Sequence, residues 1–187
     1  PFSVKLTGGP NGDVAGNGLR LLLDRCPGVQ IRLVVDGTAA LVDPAGLDRA
    51  ELSRIVLRAD AAAFDPARLS PGGFVLHRNA RRTEGLRELF RRVEMTEGGP
   101  VERWVTLDEF HQEFDDLVFG VRADLFIPAG GRPETVDEGN WQRFLARDGS
   151  RTVDVIVEGA NSFITPAARR HLQGAGVVVL RDASANK

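Results

Sequence analysis

The chain has 187 residues, 42% of them hydrophobic and 27% charged, with a formal net charge of -2; that length suits one domain with its own core. Acidic residues interspersed among the arginines exclude the concentrated basic footprint of a nucleic-acid binder, and nothing favours an anionic membrane. The single cysteine, Cys26, excludes an intrachain disulfide and fits a reducing, cytoplasmic compartment, and no run of about 18 apolar residues is present to span a bilayer.

Taken in chain order, Ser3–Thr7 reads as a strand that ends at Gly8-Gly9-Pro10. Val14–Arg25 has helical spacing, with Leu19, Leu22 and Leu23 on one face, and Pro27-Gly28 stops it. Gln30–Asp36 is a second strand, and Leu47–Ala59 is a second helix introduced by Pro44-Ala45-Gly46. The stretch Phe64–Val105 then breaks the alternation. It holds turn signals at Pro66 and Pro71-Gly72-Gly73, a charged helix expected over Thr83–Glu94, and Gly98-Gly99-Pro100. Arg81, Arg82, Arg87, Arg91 and Arg92 are interleaved there with Glu84, Glu88 and Glu94, the pattern of a solvated helix face. We treat residues 64–105 as an insertion or an irregular excursion, with no role assigned. Beyond it, Leu107–Phe119 is a helix with Thr106 as N-cap, Asp124–Ile127 a strand, Trp141–Arg147 a short helix and Val153–Glu158 a strand. Thr165-Pro166 starts a helix that ends near Gly174, and Val177–Leu180 is the last strand. Strands alternating with helices of this length predict βαβ units and a parallel sheet, whose ligands bind at the carboxyl ends of the strands.

Those ends carry the candidate chemistry. The first strand runs into Gly8-Gly9-Pro10-Asn11-Gly12-Asp13-Val14-Ala15-Gly16. A glycine-rich turn that opens a helix brings backbone N–H groups onto a pyrophosphate, but a plain strand-to-helix turn accounts for the same residues. Asp36 follows the last loop glycine by about 20 residues, where an acid accepts hydrogen bonds from the adenosine ribose of NAD and repels the 2′-phosphate of NADP; a turn-forming Asp before Gly37 is the other reading. Ala129, Gly130 and Gly131 let a ligand approach the backbone, and the adjacent Arg132 is either an anion contact or a surface arginine. Glu158 and Asn161 either orient a ligand or satisfy their own turn. The loop from Arg181 through Asn186 is another polar, small-residue segment at this edge. His77, His111 and His171 have no metal-binding spacing, and neither a metal site nor thiol chemistry is assigned.

The runs Val153–Arg169, through Glu158-Gly159-Ala160-Asn161, and Leu180–Lys187, through Asp182-Ala183-Ser184-Ala185-Asn186, resemble the large NAD-specific glutamate dehydrogenases of the glutamate, leucine, phenylalanine and valine dehydrogenase superfamily. So do Asp124–Glu134, Thr7–Asn17 and, at the second strand and its following loop, Val35–Asp48. The matches run from end to end outside residues 64–105. The resemblance implies an α/β fold, a Rossmann-like parallel sheet with helices on both faces, as a single NAD-binding domain over residues 1–187 with an irregular insertion. It implies that Gly12, Asp13 and Val14 lie against the pyrophosphate, with Gly9 and Asn11 also binding the cofactor. Asp36 lies at the adenosine ribose, Ala129 and Gly130 line the groove, and Asn161 and Asn186 stand near the nicotinamide.

The family's acid–base lysines and aspartate belong to a separate substrate domain. This chain has two lysines, Lys5 and Lys187, and neither matches the family's lysine motifs. With Pro1 in place of an initiator methionine, it is therefore expected to be a piece of a longer homo-oligomeric enzyme. It would bind NAD but contain no catalytic residue, with L-glutamate and 2-oxoglutarate held by the other domain. The alternatives are the cofactor domain of another amino-acid dehydrogenase and a non-catalytic nucleotide-sensing or assembly module.

Overall fold

The computed structural model describes residues 1–185. Its strands are β1 (Ser3–Thr7), β2 (Gln30–Val35), β3 (Ala39–Val42), β4 (Phe74–Glu84), β5 (Arg87–Thr96), β6 (Gly99–Thr106), β7 (Ala123–Pro128), β8 (Val153–Val157) and β9 (Val178–Leu180). Among the described residues they form one nine-stranded sheet in the order β6-β5-β4-β3-β2-β1-β7-β8-β9. The helices are α1 (Asp13–Arg25), α2 (Arg49–Ile55), α3 (Leu107–Gly120), α4 (Pro166–Gly174) and α5 (Asp182–Ala185). None of them is long and apolar enough to cross a membrane.

The expected α/β architecture is present, with a sheet of two kinds. β2, β1, β7, β8 and β9 are parallel. β3 to β6 extend the β2 edge by antiparallel pairing. Side chains alternate across each strand, so both faces are packed. Val4 and Leu6 of β1 join Leu19 of α1 and Leu52 and Ile55 of α2 on one face. On the other, Leu33, Phe74 and Phe90 meet Phe110 and Phe114 of α3, and Phe126 and Ile156 meet Ala168 and Leu172 of α4. Each fully buried Val, Leu, Ile or Phe side chain contributes about 1.5–3 kcal/mol.

The local start signals act as read. Thr106 and Glu109 form a reciprocal capping box at α3, and the Thr165 hydroxyl accepts from Ala168 N ahead of Pro166 at α4. The helix predicted over Leu47–Ala59 is shorter. Asp48 caps α2, and the chain leaves it at Leu57, which has φ +59° and donates its N–H to Pro10 O. The helix predicted over Trp141–Arg147 is a single 3-10 turn, Trp141–Phe144.

The helix predicted over Thr83–Glu94 is wrong: these residues form the tip and second arm of a β4–β5 hairpin. Glu84 pairs with Arg87, leaving the two-residue loop Gly85-Leu86, and Gly85 has φ +61°. Glycine at the first central position is what a hairpin turn of type II′ requires. Arg, Glu and Leu favour helix by intrinsic propensity, but packing overrides it. Phe90 stacks on Phe110 at 4.3 Å, and the Arg92 guanidinium lies 4.0 Å from the centre of the Phe74 ring while bonding Glu113. Other charges are solvated, and some pair across strands, as in Arg81–Glu88 at 3.0 Å and Arg91–Glu102 at 2.7 Å.

Candidate functional site

The chain passes from β1 to β2 on one side and returns to β7 on the other side of β1. That reversal opens a crevice at the carboxyl ends of the strands. Its floor is a backbone contact. A Cβ on Gly130 would lie 2.7 Å from the Gly8 Cα, and one on Gly8, at φ +94°, would lie 2.9 Å from Gly130 N. The approach is fixed by Ala129 N donating to Thr7 O at 2.9 Å and the Thr7 hydroxyl donating to Gly130 O at 2.6 Å. The β8 loop joins on the next side, where a Cβ on Gly159 would meet Val14 Cγ1 at 3.1 Å and Ala129 Cα at 3.3 Å.

A cavity of about 360 Å³ opens here, within the range of small-molecule sites. Of the residues read from sequence, Gly9, Asp36 and Gly130 line it, with Arg132. Asn11, Gly12, Asp13 and Val14 are brought to the same edge as the loop and first turn of α1. Gly12 is the N-cap and gives no side-chain cap, so the first-turn N–H groups lack the side-chain acceptor that usually meets them. A Cβ on Gly16 would lie 2.4 Å from Pro10 O, so glycine there lets α1 seat against its own loop.

Asp36 forms the turn that the plain reading expects. Its Oδ1 accepts from Thr38 N (2.7 Å), the Thr38 hydroxyl (2.7 Å) and Ala39 N (3.1 Å), and its Oδ2 accepts from Ala61 N at 2.8 Å. Oδ2 also faces the glycine loop, since a Cβ on Gly9 would lie 2.4 Å from it. A carboxylate has about four lone-pair sites, two per oxygen, so Oδ2, with one donor, keeps room for a ligand hydroxyl.

Glu158 is not a ligand group. It is fully buried, with Oε1 accepting from Ile164 N at 3.1 Å and Oε2 held by Arg169 at 2.9 Å. Arg169 Nη2 also donates to Ile164 O at 3.1 Å, so the pair braces the loop between β8 and α4. Asn161 is exposed on that loop and does not line the cavity. Ser162 beside it has φ +53° and accepts from Glu134 N, so the β7 and β8 loops are tied together. Asp182 Oδ2 accepts from Ser162 N at 2.9 Å, and the N–H groups of Ser162 and Ala183 hold the Asp182 carboxyl below its usual pKa. Asn186 lies outside the described residues.

Sequence reasoning missed Arg78 of β4, Val118 of α3 and Phe163, which also line the cavity. Only Phe163, directly after the Glu-Gly-Ala-Asn-Ser run, carried a local signal; Arg78 reaches the site through sheet pairing.

Comparison with known proteins agrees with this geometry. The profile of the Glutamate/Leucine/Phenylalanine/Valine dehydrogenase family matches residues 3–187. The chain belongs to this family. Over 97% of its length it is 35% identical to glutamate dehydrogenase 2 of Dictyostelium discoideum and 37% identical to the NAD-specific glutamate dehydrogenase of Neurospora crassa. It spans only 16% and 15% of those two proteins. The solved glutamate dehydrogenase of Plasmodium falciparum superposes with a TM-score of 0.56 at 15% identity, covering 99% of this chain and 30% of that one. The hetero-hexameric glutamate dehydrogenase of Thermus thermophilus gives 0.50 at 20% identity, covering 99% of this chain and 30% of that one. At those identities the likeness establishes the shared fold.

One lysine of the described residues is unusual. Lys5 is fully buried in β1, and its Nζ donates to Val121 O at 2.7 Å. Burial lowers its pKa from 10.5 to about 7. It sits near the Phe126 and Phe144 rings (5.7 and 5.1 Å from their centres), in the body of the strand and not in the cavity lining. Val121 is the C-cap of α3, so Lys5 satisfies a helix-end carbonyl at the negative end of the helix dipole.

Proposed function

We propose that this chain is the NAD-binding domain of an NAD-dependent glutamate dehydrogenase, which oxidises L-glutamate with water to 2-oxoglutarate and ammonium. The observation that carries the reading is the backbone contact of Gly8 and Gly130 beneath a cavity bordered by Asp36. Side chains at those glycines would collide with the backbone of the facing loop and push apart the floor on which a dinucleotide would lie. The NAD-specific relatives, 34% to 37% identical along the chain, support the same cofactor.

The glycine-rich loop, with Gly9, Asn11, Gly12, Asp13 and Val14, would hold the pyrophosphate through N–H groups at the start of α1. Asp36 Oδ2 would accept from the adenosine ribose. Ala129 and Gly130 would lie along the groove, and Asn161 and Asn186 would serve the nicotinamide end. When bound, NAD accepts the hydride removed from the amino-bearing carbon. No group of this chain is assigned to move the substrate's protons. Lys5 is committed to Val121 O inside the sheet, so that work falls to a substrate domain outside this chain. A cytoplasmic, homo-oligomeric enzyme completes the reading.

Calorimetric titration with NAD and NADP tests it. NAD is expected to bind and NADP to bind more weakly, and Asp36→Ala is expected to weaken NAD about tenfold, the cost of a charge-assisted hydrogen bond. Equal affinity for both dinucleotides, or an Asp36→Ala variant that binds NAD as before, overturns the role of Asp36. Binding of neither overturns the cofactor reading of this chain.

A further inference from the structure

Arg78, Arg87 and Arg103 of the antiparallel extension have no ion pair among the described residues, and of these three only Arg78 lines the cavity. Arg81, Arg82, Arg91 and Arg92 each hold a carboxylate. Among the described residues no carboxylate pairs with Arg78. Its backbone N–H donates to Thr38 O at 2.8 Å, two residues beyond Asp36, which fixes this part of β4 beside the Asp36 turn. Its guanidinium lies 5.3 Å from the centre of the Phe114 ring on α3. Val118, one helical turn beyond Phe114, lines the cavity together with Arg78 itself.

Sheet order separates the two arginines of the cavity. Arg78 comes from β4, on the β2 side of β1, with Val35, Asp36 and Gly37. Arg132 follows β7, on the opposite side. The Arg78 end carries the apolar Val35, and Val118, packed against the cluster of β7 and β8, adds an apolar wall to the same cavity, which suits an aromatic base better than a phosphate. A planar guanidinium backed by one ring is well suited to stack on another.

The geometry points to Arg78 as an adenine-stacking residue: with Phe114 behind it, its guanidinium forms the platform for the purine of the bound dinucleotide, supplied by the antiparallel extension rather than by the parallel sheet. The inference rests on the NAD reading above and adds a residue to it.

The test compares 5′-AMP, nicotinamide mononucleotide, NAD and NADP on the wild-type chain, Arg78→Ala and Arg78→Lys, each variant first checked for an unchanged circular dichroism spectrum. AMP and nicotinamide mononucleotide both carry a 5′-phosphate, and only AMP carries the purine. Arg78→Ala is expected to weaken AMP and NAD about tenfold, in the range of base stacking and cation–π contacts, and to leave nicotinamide mononucleotide unchanged. Arg78→Lys keeps the charge without the plane and is expected to stay closer to the alanine variant than to wild type. Equal losses for AMP and the mononucleotide would assign the guanidinium to a phosphate and overturn the stacking role. A loss confined to NADP would assign it to the 2′-phosphate with the same consequence. Unchanged AMP and NAD binding in Arg78→Ala overturns the inference alone, whereas a wild-type chain that binds neither AMP nor NAD removes the reading beneath it as well.

Discussion

In the parallel half of the sheet, loops meet backbone to backbone. Gly8 touches Gly130, Gly159 touches Ala129 and Val14, and the buried Glu158–Arg169 pair braces the loop from β8 to α4. In the antiparallel extension, strands meet through side chains instead, with arginines and glutamates paired across an exposed face and Phe90 stacked on Phe110. The parallel half trades side chains for space at the strand ends, and the extension fills space with side chains. Tolerance to substitution should differ accordingly: a small addition in the first region is costly, and a large change at the tip of the second is not.

The largest expected effect is at Glu158. Glu158→Ala leaves Arg169 buried without its carboxylate and is expected to cost about 3–5 kcal/mol in urea unfolding. A loss below about 1 kcal/mol would show that the brace is unimportant to the parallel half.

Lys5 gives a pH-dependent test of the same half. Its folded pKa, near 7, lies below its ordinary 10.5. Between those values the unfolded chain carries a proton that the folded chain lacks. The unfolding free energy from this group therefore rises with pH across that window, by up to about 1.4 kcal/mol per pH unit, and falls as pH drops toward 7. Lys5→Met should flatten this slope in denaturation curves taken across the window. A slope identical to wild type would mean that the ammonium stays charged in the fold.

The smallest effects give the direct contrast. Gly130→Ala places a Cβ 2.7 Å from the Gly8 Cα and is expected to cost about 1–3 kcal/mol while weakening NAD. Leu86→Lys, at a fully exposed hairpin tip, should stay within about 0.5 kcal/mol with NAD affinity intact. Thermal melts and NAD titration of the two variants check the pair. Equal losses would erase the distinction between the regions.

The legible parts of this fold were those where local chemistry and tertiary demand agree. Thr106 with Glu109, and Thr165 with Pro166, cap helices by contacts within one turn, so the sequence declares them. Short runs rich in Val, Ile and Leu declare β2 and β8 for the same reason. The Thr83–Glu94 segment failed because its propensity is helical and its structure depends on distant partners, Phe110 and Glu113. Gly85 was the available local signal. At the site, Gly9, Asp36 and Gly130 were legible because a glycine turn and an acid after a strand have local reasons to be there. Glu158 was ambiguous, since only burial distinguishes a brace from a ligand contact. Arg78 was illegible because its place beside Asp36 depends on β3 and β4 adding to the edge of β2.

The sequence by itself determined the α/β class, the helix starts and the glycine turns, because spacing, capping and backbone freedom act over a few residues. Tertiary structure decided that Thr83–Glu94 would be a hairpin, that Lys5 would be sealed under α3, and that Gly8 would touch Gly130 across a distance of more than a hundred residues. Strand pairing and burial join segments far apart in the chain, and their free energy outweighs what any short window of residues prefers on its own.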